Sequence, residues 1–215
     1  MERLRIRFRR GEEIKFISHL DMIRLWQRAF NRAGIALAYS EGYNPHPRIS
    51  LAAPLALGVT SEAELMDIVL AKWVSPHSFT AMVSQQLPPG IEILQVYPIP
   101  PKIPSLQAQV SFAEYSVEIE TTRERKEIES AIKSLLSTEH LPWQHQRDTG
   151  PHHYDLRTLI NDLWLIDRRQ SCCTIGMLLR CDNLGSGRPE QVANALDFEN
   201  YPQSIHRTKL ILKTS

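Results

Sequence analysis

Apolar and polar residues alternate strictly at the amino terminus, where Leu4, Ile6 and Phe8 interleave with Arg3, Arg5, Arg7 and Arg9. A period of two predicts a strand with one buried face and one face made entirely of arginine. Gly11 ends it. The period then changes. Ser18, with Asp21 three residues on, resembles a capping box, in which the serine hydroxyl accepts from an otherwise unpaired first-turn amide. Leu20, Ile23, Trp26 or Gln27, Phe30 and Ala33 supply the apolar stripe of the helix that follows. Arg24, Arg28 and Arg32 recur at i, i+4 and i+8 along another stripe, and Gly34 stands where a left-handed C-cap would stop the helix.

Residues 35–39 predict a second strand, and residues 41–47 a loop punctuated by Gly42, Pro45 and Pro47. Met66, Ile68 and Leu70 alternate with Leu65, Asp67 and Val69 as a third strand over residues 64–71. Ser75 and Pro76 open a helix through residue 86, and residues 91–97 form a fourth strand. Strand, helix, strand, strand, helix, strand is the order of a split β-α-β, ferredoxin-like unit. The proline-rich stretch 98–104 predicts a stiff, extended linker. Beyond it come a strand at 110–120, a charged amphipathic helix at 123–137, a short strand at 141–145, and strands at 154–166 and 174–181. Arg188-Pro189-Glu190 begins a helix, and residues 204–213 close the chain as a strand. The expected fold is therefore α+β, with two tandem ferredoxin-like halves: a basic half at residues 1–98, a linker at 99–106, and a second half at 107–215.

A chain of 215 residues that is 42% hydrophobic and 23% charged has an ordinary globular balance, with room for one large or two small domains. No run approaches the roughly 18 apolar residues of a membrane span. Met1-Glu2-Arg3-Leu4-Arg5 lacks the apolar stretch of a signal peptide, so a cytoplasmic protein with no membrane partner is expected. Cys172, Cys173 and Cys181 are an odd, closely spaced set that suits reduced thiols. Nothing in their spacing matches a zinc or iron-sulfur site, so no metal is expected in this chain. A net charge of +1 conceals an asymmetry, because residues 1–50 carry ten Lys/Arg against five Asp/Glu and the remainder carries 15 against 19. A local positive excess points to an anionic partner.

The arginine face of the first strand suits an anion, although basic residues also protect edge strands from mispairing. His19 and His46 offer a general acid and base for cleavage of an RNA backbone, since imidazole carries both protonation states near neutral pH. The structural alternative puts His19 at a helix start and makes His46, between Pro45 and Pro47, a loop-shaping residue. Tyr39, Glu41, Tyr43, Asn44 and Arg48 could present rings and polar edges to an unpaired base. Gly185-Ser186-Gly187-Arg188 could cradle a phosphate on its amides, with Arg188 assisting, or simply connect a strand to a helix. His140, His145, His152 and His153 lack the spacing of a zinc hydrolase and suit a solvated loop.

Arg5-Ile6-Arg7-Phe8, Phe16-Ile17-Ser18-His19-Leu20-Asp21, residues 38–47 (AYSEGYNPHP) and Leu55-Ala56-Leu57-Gly58 together resemble the bacterial family called radical-SAM-linked. The resemblance continues through Tyr154-Asp155-Leu156-Arg157, Gly187-Arg188-Pro189-Glu190 and Arg207-Thr208, and so covers most of the chain. Members of that family occur beside, or fused to, a radical S-adenosylmethionine protein. The resemblance implies such a protein as partner, and it places the S-adenosylmethionine and the 4Fe-4S cluster there, because the partner's three-cysteine motif is missing here.

The expected function is thus a non-enzymatic accessory module that binds RNA or an RNA-derived substrate for a radical S-adenosylmethionine enzyme. Arg3, Arg5, Arg7, Arg9, Arg24, Arg28 and Arg188 would hold phosphates. Ser18, His19, Asp21, Tyr39, Glu41, Tyr43, Asn44, His46 and Arg48 would complete the site. A metal-independent endoribonuclease using His19 and His46, and a protein-docking module with no nucleic-acid role, are the rival readings.

Overall fold

The computed structural model describes residues 2–100, 102–147 and 150–213, so Pro101 of the expected linker lies outside the described residues. The architecture is α+β and mostly antiparallel sheet with few helices. The chain divides into two compact units, Met1–Val110 with Lys213–Ser215, and Ser111–Leu212.

In the first unit, β1 (Glu2–Arg10) leads through a short 3-10 turn (Glu12–Ile14) to α1 (His19–Arg32). β2 (Ile49–Leu51), β3 (Thr60–Leu70), α2 (Pro76–Ser84), β4 (Ile91–Ile99) and the one-turn α3 (Leu106–Gln109) follow. The strands lie in the order β2-β3-β1-β4, each antiparallel to its neighbour. Leu4, Ile6 and Phe8 are fully buried on one face of β1, as are Met66, Ile68 and Leu70 on β3, so the period of two in the sequence is the period of the pleat. α1 and α2 close this core through a file of rings. Phe8 meets Trp26 edge-on at 5.0 Å, Trp26 stacks on Phe30 at 5.4 Å, and Phe30 touches Phe79 at 5.8 Å.

α1 is capped as expected. The Ser18 hydroxyl accepts from the Asp21 amide at 3.2 Å, and at the other end Gly34 takes φ +69° while the Ile35 amide reaches back to the Phe30 carbonyl at 2.9 Å. Its buried stripe, however, is Met22, Trp26, Ala29 and Phe30. Trp26, Phe30 and Ala33 of the expected stripe are buried, but at its start Leu20 is 64% exposed and Ile23 only half-buried, and Met22 faces the core instead. Residues 35–39 are likewise not a continuous strand. They touch β3 through an isolated bridge at Leu37 and Leu70, then turn outward at a second bridge between Tyr39 and Pro47, and β2 takes the place in the sheet expected of them.

The second unit runs β5 (Val110–Glu120), α4 (Arg125–Ser137), β6 (Pro142–Arg147), β7 (Gly150–Asp155), β8 (Ile160–Arg168), β9 (Cys172–Asp182), β10 (Gly185–Ser186), α5 (Pro189–Ala195) and β11 (Ser204–Leu212). β9 is flanked by β8 and β10 on one side and β5 on the other, β11 lies beyond β5, and β6 with β7 forms a separate hairpin. Buried positions on facing strands pair across the sheet: Ala113 with Leu179, Tyr115 with Met177, Val117 with Ile175, and Ile119 with Cys173. Ile128, Ile132 and Leu135 of α4 supply the helical side of this core. The single strand expected over 154–166 is broken by a 3-10 turn at Leu156–Leu159, because the Asp155 carboxylate caps it by accepting from the Arg157 amide at 3.0 Å.

Candidate nucleic-acid interface

The arginine face expected on β1 does not form as a free surface. Arg5 sits directly across the β1–β3 ladder from Asp67, and the Asp67 carboxylate accepts from Arg5 Nε at 2.7 Å and Nη2 at 3.0 Å. Arg3 Nη2 reaches the same carboxylate at 2.5 Å. The segment after β4 folds back over the pair: the Ile103 and Pro104 carbonyls accept from Arg3, and Gln109 Oε1 accepts from Arg5. Arg5 is 4% exposed and Asp67 2%. Burial pulls the Arg5 pKa down, but the hydrogen bond and charge of Asp67 more than offset this and leave it raised. Arg3 and Arg5 are therefore a buried ion-pair cluster and not anion ligands. Arg7 and Arg9 stay exposed, the latter 3.9 Å from Glu92. What decided the outcome was a carboxylate 62 residues away from Arg5 in sequence.

The other arginine row is differently placed. Along α1 an open groove of about 810 Å³ runs between the helix and residues 85–88. Arg24, Arg28 and Arg32 line it, with Ser18 and Asp21 at one end. Arg24 Nη1 donates to Asp21 at 3.1 Å, and Arg32 Nη2 donates to the Gln86 carbonyl at 2.9 Å. Arg28 is exposed and has no hydrogen bond or ion pair among the described residues. Ser18 donates to Asp21 Oδ2 at 2.7 Å, and that bond, followed by the one from Arg24, holds the Asp21 carboxyl below its usual range. One carboxylate against three guanidinium groups leaves the groove positive. Gln85 and Gln86 add polar surface, and the rest of the lining is apolar, with Phe16 73% and Leu57 60% exposed.

His19 and His46 lie in different local settings. His19 is half-buried and lines a small crevice with Phe8, Arg10, Met22 and Glu64. His46 is exposed in the loop, its amide donating to Ser40 Oγ at 3.0 Å while its carbonyl accepts from the Ser40 amide at 2.8 Å. No hydrogen bond or ion pair joins the two among the described residues. The same closure displays Glu41, Tyr43 and Asn44 at the loop tip, with Tyr43 fully exposed and Tyr39 54% exposed at the base. Arg48 follows on the exposed side, its amide held by the Ala38 carbonyl at 2.8 Å. None of these loop residues lines the groove of α1.

The glycine-rich turn before α5 is not a phosphate cradle. The Gly185 amide donates to Asp182 Oδ1 and the Gly187 amide to the Arg180 carbonyl, so both are already engaged. Arg188 is exposed in the second unit with its Nη1 3.3 Å from His145 Nε2. Cys173 is buried in the β5–β9 layer and its thiol is pushed up from 9.0 to about 11 by desolvation. Among the described residues no group of three or more His, Cys, Asp or Glu is arranged to hold a metal. No helix among them is long and apolar enough to cross a membrane.

One buried arginine of the first unit was given no role from the sequence. Arg10, 3% exposed, turns inward after an irregularity in the β1–β3 register and donates from Nη2 to the carbonyls of Lys15 at 2.6 Å and Ile17 at 2.8 Å. It thereby holds the segment that carries Phe16. The Arg9-Arg10 doublet, which breaks the alternation, was the available signal.

Residues 3–189 match the model of a family described as uncharacterized proteins conserved in bacteria (DUF2344). The chain belongs to that family. No curated protein matches its sequence. Among solved structures it is similar in fold to a chain of a Cbf5-Nop10-Gar1 complex, with a TM-score of 0.52 at 8% identity over 96% of this chain and 48% of the other. It is also similar to a chain of an archaeal box H/ACA sRNP Nop10-Cbf5 complex, with a TM-score of 0.50 at 9% identity over 97% of this chain and 48% of the other. The chain thus spans about half the length of the solved chains it resembles.

Proposed function

We propose that this protein is an accessory module that binds RNA, or a substrate derived from RNA, along the groove of α1 and works with a separate radical S-adenosylmethionine enzyme. The observation that carries the reading is the row Arg24, Arg28 and Arg32 on one wall of an open groove, with Arg28 making no hydrogen bond or ion pair among the described residues. Guanidinium groups are forked donors suited to phosphate oxygens, and a row of them on a helix follows a strand rather than a single ion. Similarity in fold to a chain of an sRNP complex suits the same reading. The exposed loop with Tyr43, Asn44 and His46 is a second surface for contacts to bases or to the partner. The partner itself, with its S-adenosylmethionine and cluster, rests on the family resemblance of the sequence motifs.

The same reading takes each unit as ferredoxin-like. In the first, β1-α1-β2-β3-α2-β4 with sheet order β2-β3-β1-β4 fits a split β-α-β unit. In the second, β5-α4-β8-β9-α5-β11 with order β8-β9-β5-β11 fits it again, the β6–β7 hairpin being an insertion.

The test is purification of the full chain, alone and with a co-expressed radical S-adenosylmethionine protein, followed by absorbance ratio and ribonuclease digestion. Ribonuclease-sensitive material bound to the chain is expected. A nucleic-acid-free preparation with no measurable RNA affinity at low salt overturns the reading, and partner capture under those conditions would make the chain a protein-docking module instead.

A further inference from the structure

Phe16 is an exposed aromatic that the fold takes trouble to hold still. The residue is 73% exposed and lines the α1 groove. The backbone beneath it is fixed from both sides: buried Arg10 donates to the carbonyls of Lys15 and Ile17, and the Gly58 amide donates to the Lys15 carbonyl at 2.8 Å. Gly58 has φ +81°, and a side chain built there would meet the Phe16 ring at 3.6 Å, so the neighbouring turn lies close to the ring edge. Lys15 Nζ sits 5.4 Å from the ring centroid, and is itself bonded to Glu12 at 2.6 Å. An apolar ring left in water yet given a rigid seat has the properties of a platform and not of core packing.

The arginine row supplies the second half of the argument. Successive members four residues apart on a helix that rises about 1.5 Å per residue are about 6 Å apart along its axis. That is close to the separation of neighbouring phosphates along one extended strand. A duplex would present a rigid double rail of phosphates and no free base faces, whereas a single strand can lay its phosphates on the row and turn a base onto the ring. We infer that the groove takes a single-stranded segment of nucleic acid, with Arg24, Arg28 and Arg32 on consecutive phosphates and one unpaired base stacked on Phe16. This rests on the RNA reading above and names the form of RNA bound.

The test compares wild type, Phe16→Ala and Phe16→Trp, all as the full chain, by fluorescence anisotropy at low salt. The probes are a labelled single-stranded oligonucleotide, an abasic oligonucleotide of equal length, and a blunt duplex. Phe16→Ala should weaken binding of the base-bearing strand by about 5- to 150-fold, the range of one aromatic stack, while Phe16→Trp keeps it and the abasic strand is insensitive to either change. Circular dichroism of Phe16→Ala, expected unchanged for so exposed a residue, confirms that the loss is local. Equal binding of base-bearing and abasic strands by both proteins, or preference for the duplex, overturns this inference while leaving RNA binding intact. Absence of RNA binding by wild type, or Phe16-dependent binding of an acidic peptide in its place, overturns both.

Discussion

The Asp67 carboxylate is the most informative residue to remove, because the account makes it structural and the naive reading of the sequence makes its partners functional. It is 2% exposed and accepts three hydrogen bonds, two from Arg5 and one from Arg3. Asp67→Ala removes the carboxylate from a guanidinium that is buried in the wild type, leaving it the neutral side chains of Gln109, whose Oε1 lies at 3.3 Å, and Tyr97. Removing one partner of a buried pair costs about 3 to 5 kcal/mol, since the surviving charge stays desolvated. For a chain of this size each kcal/mol moves Tm by about 2 to 4 °C, so a fall of about 6 to 20 °C is expected. The assay is thermal unfolding followed by circular dichroism at neutral pH. Arg5→Met combined with Asp67→Leu should recover most of the loss, because replacing both members of a buried pair with apolar groups is often neutral, and its RNA affinity should match wild type. A Tm within about 3 °C of wild type for Asp67→Ala, a threshold near 1 kcal/mol, would refute the reasoning. So would weakened RNA binding in the double variant.

Other expectations follow from single contacts. A Cβ at Gly176 would run into the Trp164 ring, which crosses it from β8, so Gly176→Ala should destabilise by about 1 to 3 kcal/mol in urea unfolding; a neutral effect would show that the ring is free to move. Ser18→Ala removes the cap of α1 and should cost about 1 kcal/mol, with Ser18→Asp retaining most of it. Buried Cys173, held up at about 11, should resist alkylation at neutral pH while half-buried Cys172 reacts first. The sign of its linkage is fixed: the raised thiol favours the folded state fully below the ordinary value of 9.0, and that contribution is lost as pH rises through about 11. An unfolding midpoint that rises over that alkaline window would contradict it.

Local pattern carried much of the fold. The alternation at Leu4, Ile6 and Phe8 placed β1, and the serine and glycine at residues 18 and 34 bounded α1 to within a residue. Those features depend on neighbours a few positions away. The fate of Arg5 does not, because Asp67 looked like the polar face of its own strand and nothing in either segment states that the two are opposed. The first turn of the helix stripe was misjudged for a related reason: Leu20 and Met22 are both apolar, and the packing of Trp26 between Phe8 and Phe30 selects which faces the core. For the candidate site, Arg24 and Arg28 were legible from helical spacing, but Phe16 was not, since its role depends on Arg10 turning inward and on a turn at Gly58.

The central claim is that the row on α1, and not the surviving arginines of β1, meets the phosphates. Its most direct test is the slope of log K against log salt for a single-stranded RNA oligonucleotide, in wild type, in the triple variant Arg24→Ala/Arg28→Ala/Arg32→Ala, and in Arg7→Ala/Arg9→Ala. Each phosphate contact contributes about 0.7 to that slope on a single strand. The account predicts that the triple variant flattens the slope by about 2 and that the β1 pair leaves it unchanged. The reverse result would contradict it.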